Sequence, residues 1–346
     1  MRHVQIGVLG AGMMGERHTR VLRGLPGVHL VGVSDLDRVR GRIVSDRYHV
    51  PFVESFEELL GRVDAMVVAT PTPLHYEQVR RCLLAGVHVF VEKAITQYVE
   101  QGEELEDLAR RLGMLLQVGH IERFNPVCIE LKKILREHTP VALSFRRLSS
   151  FVSSNLAVDV VLDLMIHDVD LAFDFCHGLP ITGLHAVGRI VRSREIDHAM
   201  AHLAFVGGPM SSFVASRVTE HKVRAIEITA TDAFIEADLM HKEIRIHRNI
   251  SSQYQVSGDN VKYQQRSIIE QVQVPATEPL YLQMLDFVQN LREGRPPTVS
   301  AADGVRALRV VREIINQVMA NERERSRPPM ANVSAPVAFP TVSEHV

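Results

Sequence analysis

The chain has 346 residues, 46% of them hydrophobic and 23% charged, with a formal net charge of -2. That length favours about two domains, and the composition is that of a globular protein. The near-neutral charge gives no electrostatic reason to expect nucleic acid or an acidic membrane as partner. No run is long and apolar enough to span a membrane, and Met1-Arg2-His3 opens no signal peptide. The three scattered cysteines, Cys82, Cys128 and Cys176, have no metal-ligand spacing and read as buried thiols of a reducing cytosol, so a cytoplasmic protein is expected.

Taken in chain order, Val4 to Leu9 is apolar enough for a strand buried on both faces. It runs into Gly10-Ala11-Gly12-Met13-Met14-Gly15, then a helical stretch, then a second strand from Val28 to Val33 that ends near Asp35. In a dinucleotide fingerprint Gly10 permits the tight turn, Gly12 lets a pyrophosphate approach the backbone, and Gly15 lets helix and strand pack closely. The helix N-terminus offers N–H groups to phosphate. A carboxylate about twenty residues further on holds the ribose hydroxyls, and Asp35 stands there. Glycines also serve ordinary turns, but here strand, turn, helix, strand and acid fall in one unit. Asp35 repels a 2′-phosphate, so NAD is expected over NADP, with Arg38 and Arg40 close by as the counter-argument.

Next, Ser55 caps a short helix from Phe56 to Leu60, and Val63 to Ala69 is the third strand. The prolines of Thr70-Pro71-Thr72-Pro73-Leu74-His75 force an extended turn before a helix through Ala85. VHVFVEKA then reads as strand and loop, Tyr98 to Leu112 as a helix stopped by Gly113, and Met114 to Val118 as a strand ending at Gly119-His120. This alternation predicts a Rossmann-type doubly wound parallel sheet over 1–121. Ligands bind such a sheet at the carboxyl ends of its strands, which directs attention to Gly10–Gly15, Asp35, Thr70, Pro71 and on to His75, Glu92, Lys93 and Gly119-His120.

Beyond Ile121 the pattern changes. A helix near Pro126 to Glu137 precedes the strand-like runs VALSFRRL, GLHAVGRIVR, HAMAHLAFV, MSSFVASRV, VRAIEITATDAFIEADL, KEIRIHR and SIIEQVQV. One helix, Val158 to Cys176, interrupts them, and two more, about Pro279 to Arg292 and Ala302 to Glu324, close the fold. The chain is thus α/β, with a second, α+β domain over 122–325 built on a large, mostly antiparallel open sheet. The Pro/Ser/Ala-rich stretch 326–346 reads as a disordered tail.

The order GAGMMG, TPTPLH, EKA, GHIERFNP, DLMIHDVD and PTVSAADGVRALRV resembles the glucose-fructose oxidoreductase/inositol dehydrogenase (Gfo/Idh/MocA) family, from end to end apart from the tail. The resemblance implies a Rossmann domain followed by an open sheet that lines the substrate pocket. That sheet often forms the oligomer interface, so a homo-oligomer, dimer or tetramer, is expected. Within the family, VGHIERFNP with DLMIHDVDL is similar to the nucleotide-sugar branch, UDP-N-acetylglucosamine 3-dehydrogenases especially. The resemblance also implies that Lys93 lies in the active site and that Asp163 and His167 belong to the substrate site. Where the family has Glu-Lys-Pro, this chain has Glu92-Lys93-Ala94, without the proline that stiffens the turn.

The residues support that chemistry and admit alternatives. Asp163 and His167, four apart, share one face of a helix and can meet the same ligand. Histidine titrates in the range needed to take a hydroxyl proton as hydride departs, and Lys93 can stabilise the oxygen; the two roles can be exchanged. Against this stand a solvated Glu92–Lys93 loop pair, a zinc half-site lacking a third ligand, and a hydrogen-bonded core histidine. His75 is either a cofactor contact or a plain helix-start histidine. Arg123, with Asn125 beside it, is either a diphosphate contact or a salt-bridge partner, and Arg217 and Arg224 are further possible anion contacts. Two function classes remain: an NAD-dependent dehydrogenase of a sugar or nucleotide sugar, and a non-catalytic NAD-sensing regulator. Lys93, Asp163 and His167 together favour the enzyme; a family reductase of a non-sugar substrate is the runner-up.

Overall fold

A computed structural model describes residues 3–152, 158–257 and 260–325. The tail expected to be disordered lies outside the described residues. The first half alternates as expected: β1 (Val4–Leu9), α1 (Met13–Arg23), β2 (Val28–Ser34), α2 (Arg38–Tyr48), α3 (Phe56–Leu60), β3 (Ala65–Val68), α4 (His75–Leu84), β4 (His88–Glu92), α5 (Val99–Leu112) and β5 (Leu116–Gly119). The five strands form one parallel sheet in the order β2-β1-β3-β4-β5. Helices cover both faces of such a sheet, so β3 and β5 are buried at every position.

The second half follows with α6 (Pro126–Ile134), β6 (Pro140–Leu148), α7 (Ile166–Phe175), β7 (Ile181–Arg189), β8 (His198–Phe205), β9 (Met210–Ser216), β10 (Val223–Ala230), β11 (Phe234–Asp238), β12 (Glu243–Ser257), β13 (Asn260–Val272), α8 (Pro279–Glu293) and α9 (Ala301–Arg325). Its eight strands form an open sheet, β13-β12-β11-β10-β6-β9-β8-β7, antiparallel except for the β6–β9 pair. Alternation along β6 turns Leu143, Phe145 and Arg147 inward while Arg146 stays exposed. The inner face packs on α7 and α9, with Phe145 stacked on Phe213 at 5.1 Å between ring centroids.

Three features depart from the sequence reading. Arg38–Tyr48 is a helix where no element was expected; it buries only Gly41, Val44 and Ser45, and its N-cap Asp37 accepts from the amides of Val39 and Arg40. The expected single helix Val158–Cys176 is a π turn, Val161–Met165, followed by α7. Finally, α8 does not belong with the second sheet, as a boundary at residue 121 implies. Leu280, Met284, Phe287 and Val288 join the core around Ile6, Val8 and Phe90, and Gln117 Nε2 donates to Asp286 at 3.1 Å. The chain therefore returns to its first, parallel-sheet half before α9 packs against the second. Cys82, Cys128 and Cys176 are buried and free.

Candidate active site

The glycine loop does what its spacing predicts. Gly10 has φ +96°, a left-handed conformation that L side chains rarely adopt. A Cβ on Gly15 would lie 1.7 Å from the Gly10 carbonyl oxygen, whereas one on Gly12 would meet nothing within 4 Å. That open space faces the start of α1, whose N-cap Gly12 provides no side-chain hydrogen bond. Ala11 is buried, Met14 half-buried and Met13 exposed. Asp35, at the end of β2, accepts from the Ala11 amide at 2.6 Å and the Asp37 amide at 2.7 Å. Arg40 closes over it, with Nη2 at 2.7 Å. Burial alone would raise the Asp35 pKa; the Arg40 guanidinium and the two amides outweigh it and hold the carboxyl below its usual range.

At the ends of β3, β4 and β5 the side chains interlock. Thr70 Oγ1 donates to Gln78, and Pro71 leads into a short 3-10 turn, Thr72–Leu74. His75 is fully buried, with Nδ1 2.9 Å from the Ala94 oxygen and Nε2 2.8 Å from the Thr70 oxygen. His75 thus sits between two loops, and as a neutral imidazole, favoured by its burial, it donates to one of these two carbonyls at a time. Glu92 Oε1 lies 2.7 Å from Nε2 of the buried His18 on α1, and Glu92 Oε2 accepts from the Lys93 amide at 3.3 Å. The sequence reading missed His18; its signal was a histidine on the buried face of the helix that follows the glycine loop. The Lys93–Ala94 peptide bond is cis.

Lys93 reaches across to the second half of the chain. Its Nζ donates to the Asp163 backbone oxygen at 2.7 Å and to Asp163 Oδ1 at 3.2 Å. The wider turn at Val161–Met165 presents this carbonyl and carboxylate together; π turns recur at functional sites for such reasons. His167, half-buried at the start of α7, has a buried Nδ1 with no partner among the described residues. Burial first, then the charges of Lys93, Arg147, His120 and Arg224, hold its pKa well below 6.5. A neutral imidazole beside a lysine can accept a proton from a hydroxyl. His120 follows Gly119, the register partner of Glu92, and so lies beside this group; both its ring nitrogens are buried without a hydrogen-bond partner among the described residues, with Asp170 Oδ2 3.9 Å away.

With this geometry, comparison with known proteins is decisive for class. Residues 4–120 match the oxidoreductase family with an NAD-binding Rossmann fold, Gfo/Idh/MocA. They belong to that family. The likeness continues beyond them. A UDP-N-acetylglucosamine 3-dehydrogenase from Acidithiobacillus ferrooxidans is 28% identical over 309 residues, covering 89% of this chain and 95% of that protein. A solved structure of that enzyme superimposes with a TM-score of 0.84 over 92% of this chain and 99% of its own. The scyllo-inositol 2-dehydrogenase (NAD(+)) of Bacillus subtilis is 25% identical over 338 residues, covering 90% and 93% of the two chains. The chain is an NAD-dependent dehydrogenase.

The Gfo/Idh/MocA cofactor fits the residues present. The open space over Gly12 and the uncapped start of α1 suit a pyrophosphate, and Asp35 suits an adenosine ribose. NAD, when bound, supplies the hydride acceptor. Of the other residues singled out from sequence, two are engaged elsewhere. Arg123 is held by Asp170, at 2.8 and 2.6 Å, with Asp174 and Asp303 each 3.5 Å away, so it is the salt-bridge partner of the two alternatives. Asn125 caps α6, accepting from the Val127 amide at 3.1 Å while its Nδ2 donates to Glu122 at 2.9 Å. Lys93, Asp163 and His167 are brought together; Arg123 and Asn125 stand behind them.

Proposed function

We propose that the chain oxidises a hydroxyl of a UDP-linked amino sugar to a 3-keto product, with NAD as acceptor. The meeting of Lys93, Asp163 and His167 at one strand-end crevice carries the chemistry. In this reading His167 takes the hydroxyl proton, while Lys93 Nζ binds the same oxygen and stabilises the charge that develops there. Asp163 aims the lysine through its backbone oxygen and its carboxylate. His18, through Glu92, ties the phosphate-binding helix to the backbone that carries Lys93. The end-to-end likeness to a UDP-N-acetylglucosamine 3-dehydrogenase supports the nucleotide sugar. The similar coverage of scyllo-inositol 2-dehydrogenase supports a free polyol as the second reading.

The protein in this reading acts as a cytosolic homo-oligomer that pairs through the outer face of the second sheet. That face holds a groove of about 640 Å³ bordered by Ala142, Ser144, His202, Met210 and Phe234. Exposed Val187, Met200, Met210 and Phe234 lie on these strands, an apolar surface that a second copy would cover. The test of function is NAD reduction, followed with UDP-N-acetylglucosamine, other UDP-sugars, free N-acetylglucosamine and inositols. Turnover confined to UDP-sugars is expected. Good turnover of inositol with none of any UDP-sugar replaces this reading with the polyol one.

A further inference from the structure

A diphosphate brought into a half-buried crevice needs a cation that the protein has not already neutralised. Three arginines near the second sheet's strand ends are already taken: Arg123 by Asp170, Arg147 by Asp168 and Glu122 at 2.6 Å each, and Arg217 by Asp197 at 2.7 Å. Arg224, at the start of β10, is different. Its Nη1 donates to the backbone oxygens of Leu148 and Val223, both at 2.7 Å. Its Nε and Nη2 donate to no described residue, and no carboxylate of the described residues lies within ion-pair distance.

The sheet register puts Arg224 directly opposite Arg147, whose partner Asp168 follows His167 in the chain. Arg224 is therefore held beside the catalytic group by two backbone carbonyls and crowded by a second guanidinium. Burial and Arg147 push its pKa down to about 10, against the weaker pull of Asp168, Glu122 and Asp163. A partly buried guanidinium whose Nε and Nη2 have no partner among the described residues is a good receptor for a planar or tetrahedral oxyanion.

We propose that Arg224, rather than Arg123, is the anion anchor of the substrate site, binding the phosphate end of a phosphate-bearing sugar whose hydroxyl faces Lys93 and His167. The proposal rests on the nucleotide-sugar reading and specifies its recognition. Arg224 is in this role an affinity contact, and its charge also adds to the positive field that keeps His167 unprotonated.

Calorimetric titration of the NAD-saturated enzyme with UDP, UMP and inorganic pyrophosphate tests it, because saturation with NAD blocks the glycine loop as a competing phosphate site. The expected result is that Arg224→Gln weakens UDP binding about tenfold to a hundredfold while the NAD Kd is unchanged. Arg224→Lys recovers part of the loss, since an ammonium keeps the charge but not the fork. If Arg224→Gln does not fold, Arg224→Lys decides alone: severalfold weaker UDP binding supports the anchor, and wild-type affinity overturns it. Wild-type affinity for UDP in a folded Arg224→Gln overturns the anchor and leaves the nucleotide-sugar reading standing. Binding of pyrophosphate or UMP that depends on Arg224, with no preference for UDP, supports the anchor and removes the uridine diphosphate from the reading. No binding of any of the three by the wild-type protein overturns both.

Discussion

Replacing Lys93 or His167 with alanine should lower turnover by about a hundredfold or more, with NAD binding, read by fluorescence titration, retained. The pH profile distinguishes the base. His167 must be unprotonated to act, and burial together with Lys93, His120, Arg147 and Arg224 holds its pKa well below 6.5, while Asp163, Asp168 and Asp170 supply the nearby negative charge. The acid limb of kcat should therefore fall below pH 6.5, with full activity at neutrality; a limb above that value contradicts the assignment. At the cofactor end, Asp35→Ser removes the carboxylate that binds Arg40 and releases that guanidinium towards a 2′-phosphate. The ratio of kcat/KM for NAD to that for NADP should drop, and an unchanged ratio would mean that Asp35 does not touch the ribose. The turn geometry of Gly10 and Gly15 and the placement of Asp35 at the end of β2 were legible in the local sequence, whereas the active-site role of Lys93 came only through the family resemblance. The engagement of Arg123 was not legible, because its partner Asp170 lies 47 positions away and no spacing rule joins the two. A separation of 74 positions likewise hid the pairing of His18 with Glu92.

The elements were legible where one periodicity dominated. Continuous apolar runs marked β1 to β5, and alternation marked β6 to β11, because burial on two faces or on one writes those patterns directly. Helix α2 carries almost no apolar stripe, so its polar sequence gave nothing to read. The π turn before α7 was hidden because Asp163 and His167 have the same separation whether the turn closes at four or five residues. Helix α8 was identified as a helix and assigned to the wrong half, since an apolar face does not say which sheet it covers. Helix α9 provides an element-level test. A Cβ on Gly304 would stand 2.8 Å from Val118 Cγ2, in the fully buried β5. Gly304→Ala gains up to about 1 kcal/mol of helix propensity but overpacks a rigid contact at about 1–3 kcal/mol. The urea midpoint should fall without loss of the far-ultraviolet spectrum; a rise would show that α9 shifts freely over β5.

The whole molecule joins two halves whose facing elements each supply part of the proposed site: Lys93 from the first sheet, Asp163 and His167 from the layer over the second. If a second copy covers the outer face, Met210→Glu with Phe234→Glu should convert the oligomer to monomer in sedimentation velocity while NAD binding persists. A wild-type monomer at micromolar concentration would contradict that interface. The central claim is that hydride leaves carbon 3 of a nucleotide sugar, and isotope transfer tests it most directly. With UDP-N-acetylglucosamine deuterated at carbon 3 and unlabelled NAD, mass spectrometry should find one deuterium in the reduced cofactor and a 3-keto product. Reduced cofactor without deuterium, or cofactor reduced by inositol and by no UDP-sugar, would contradict it.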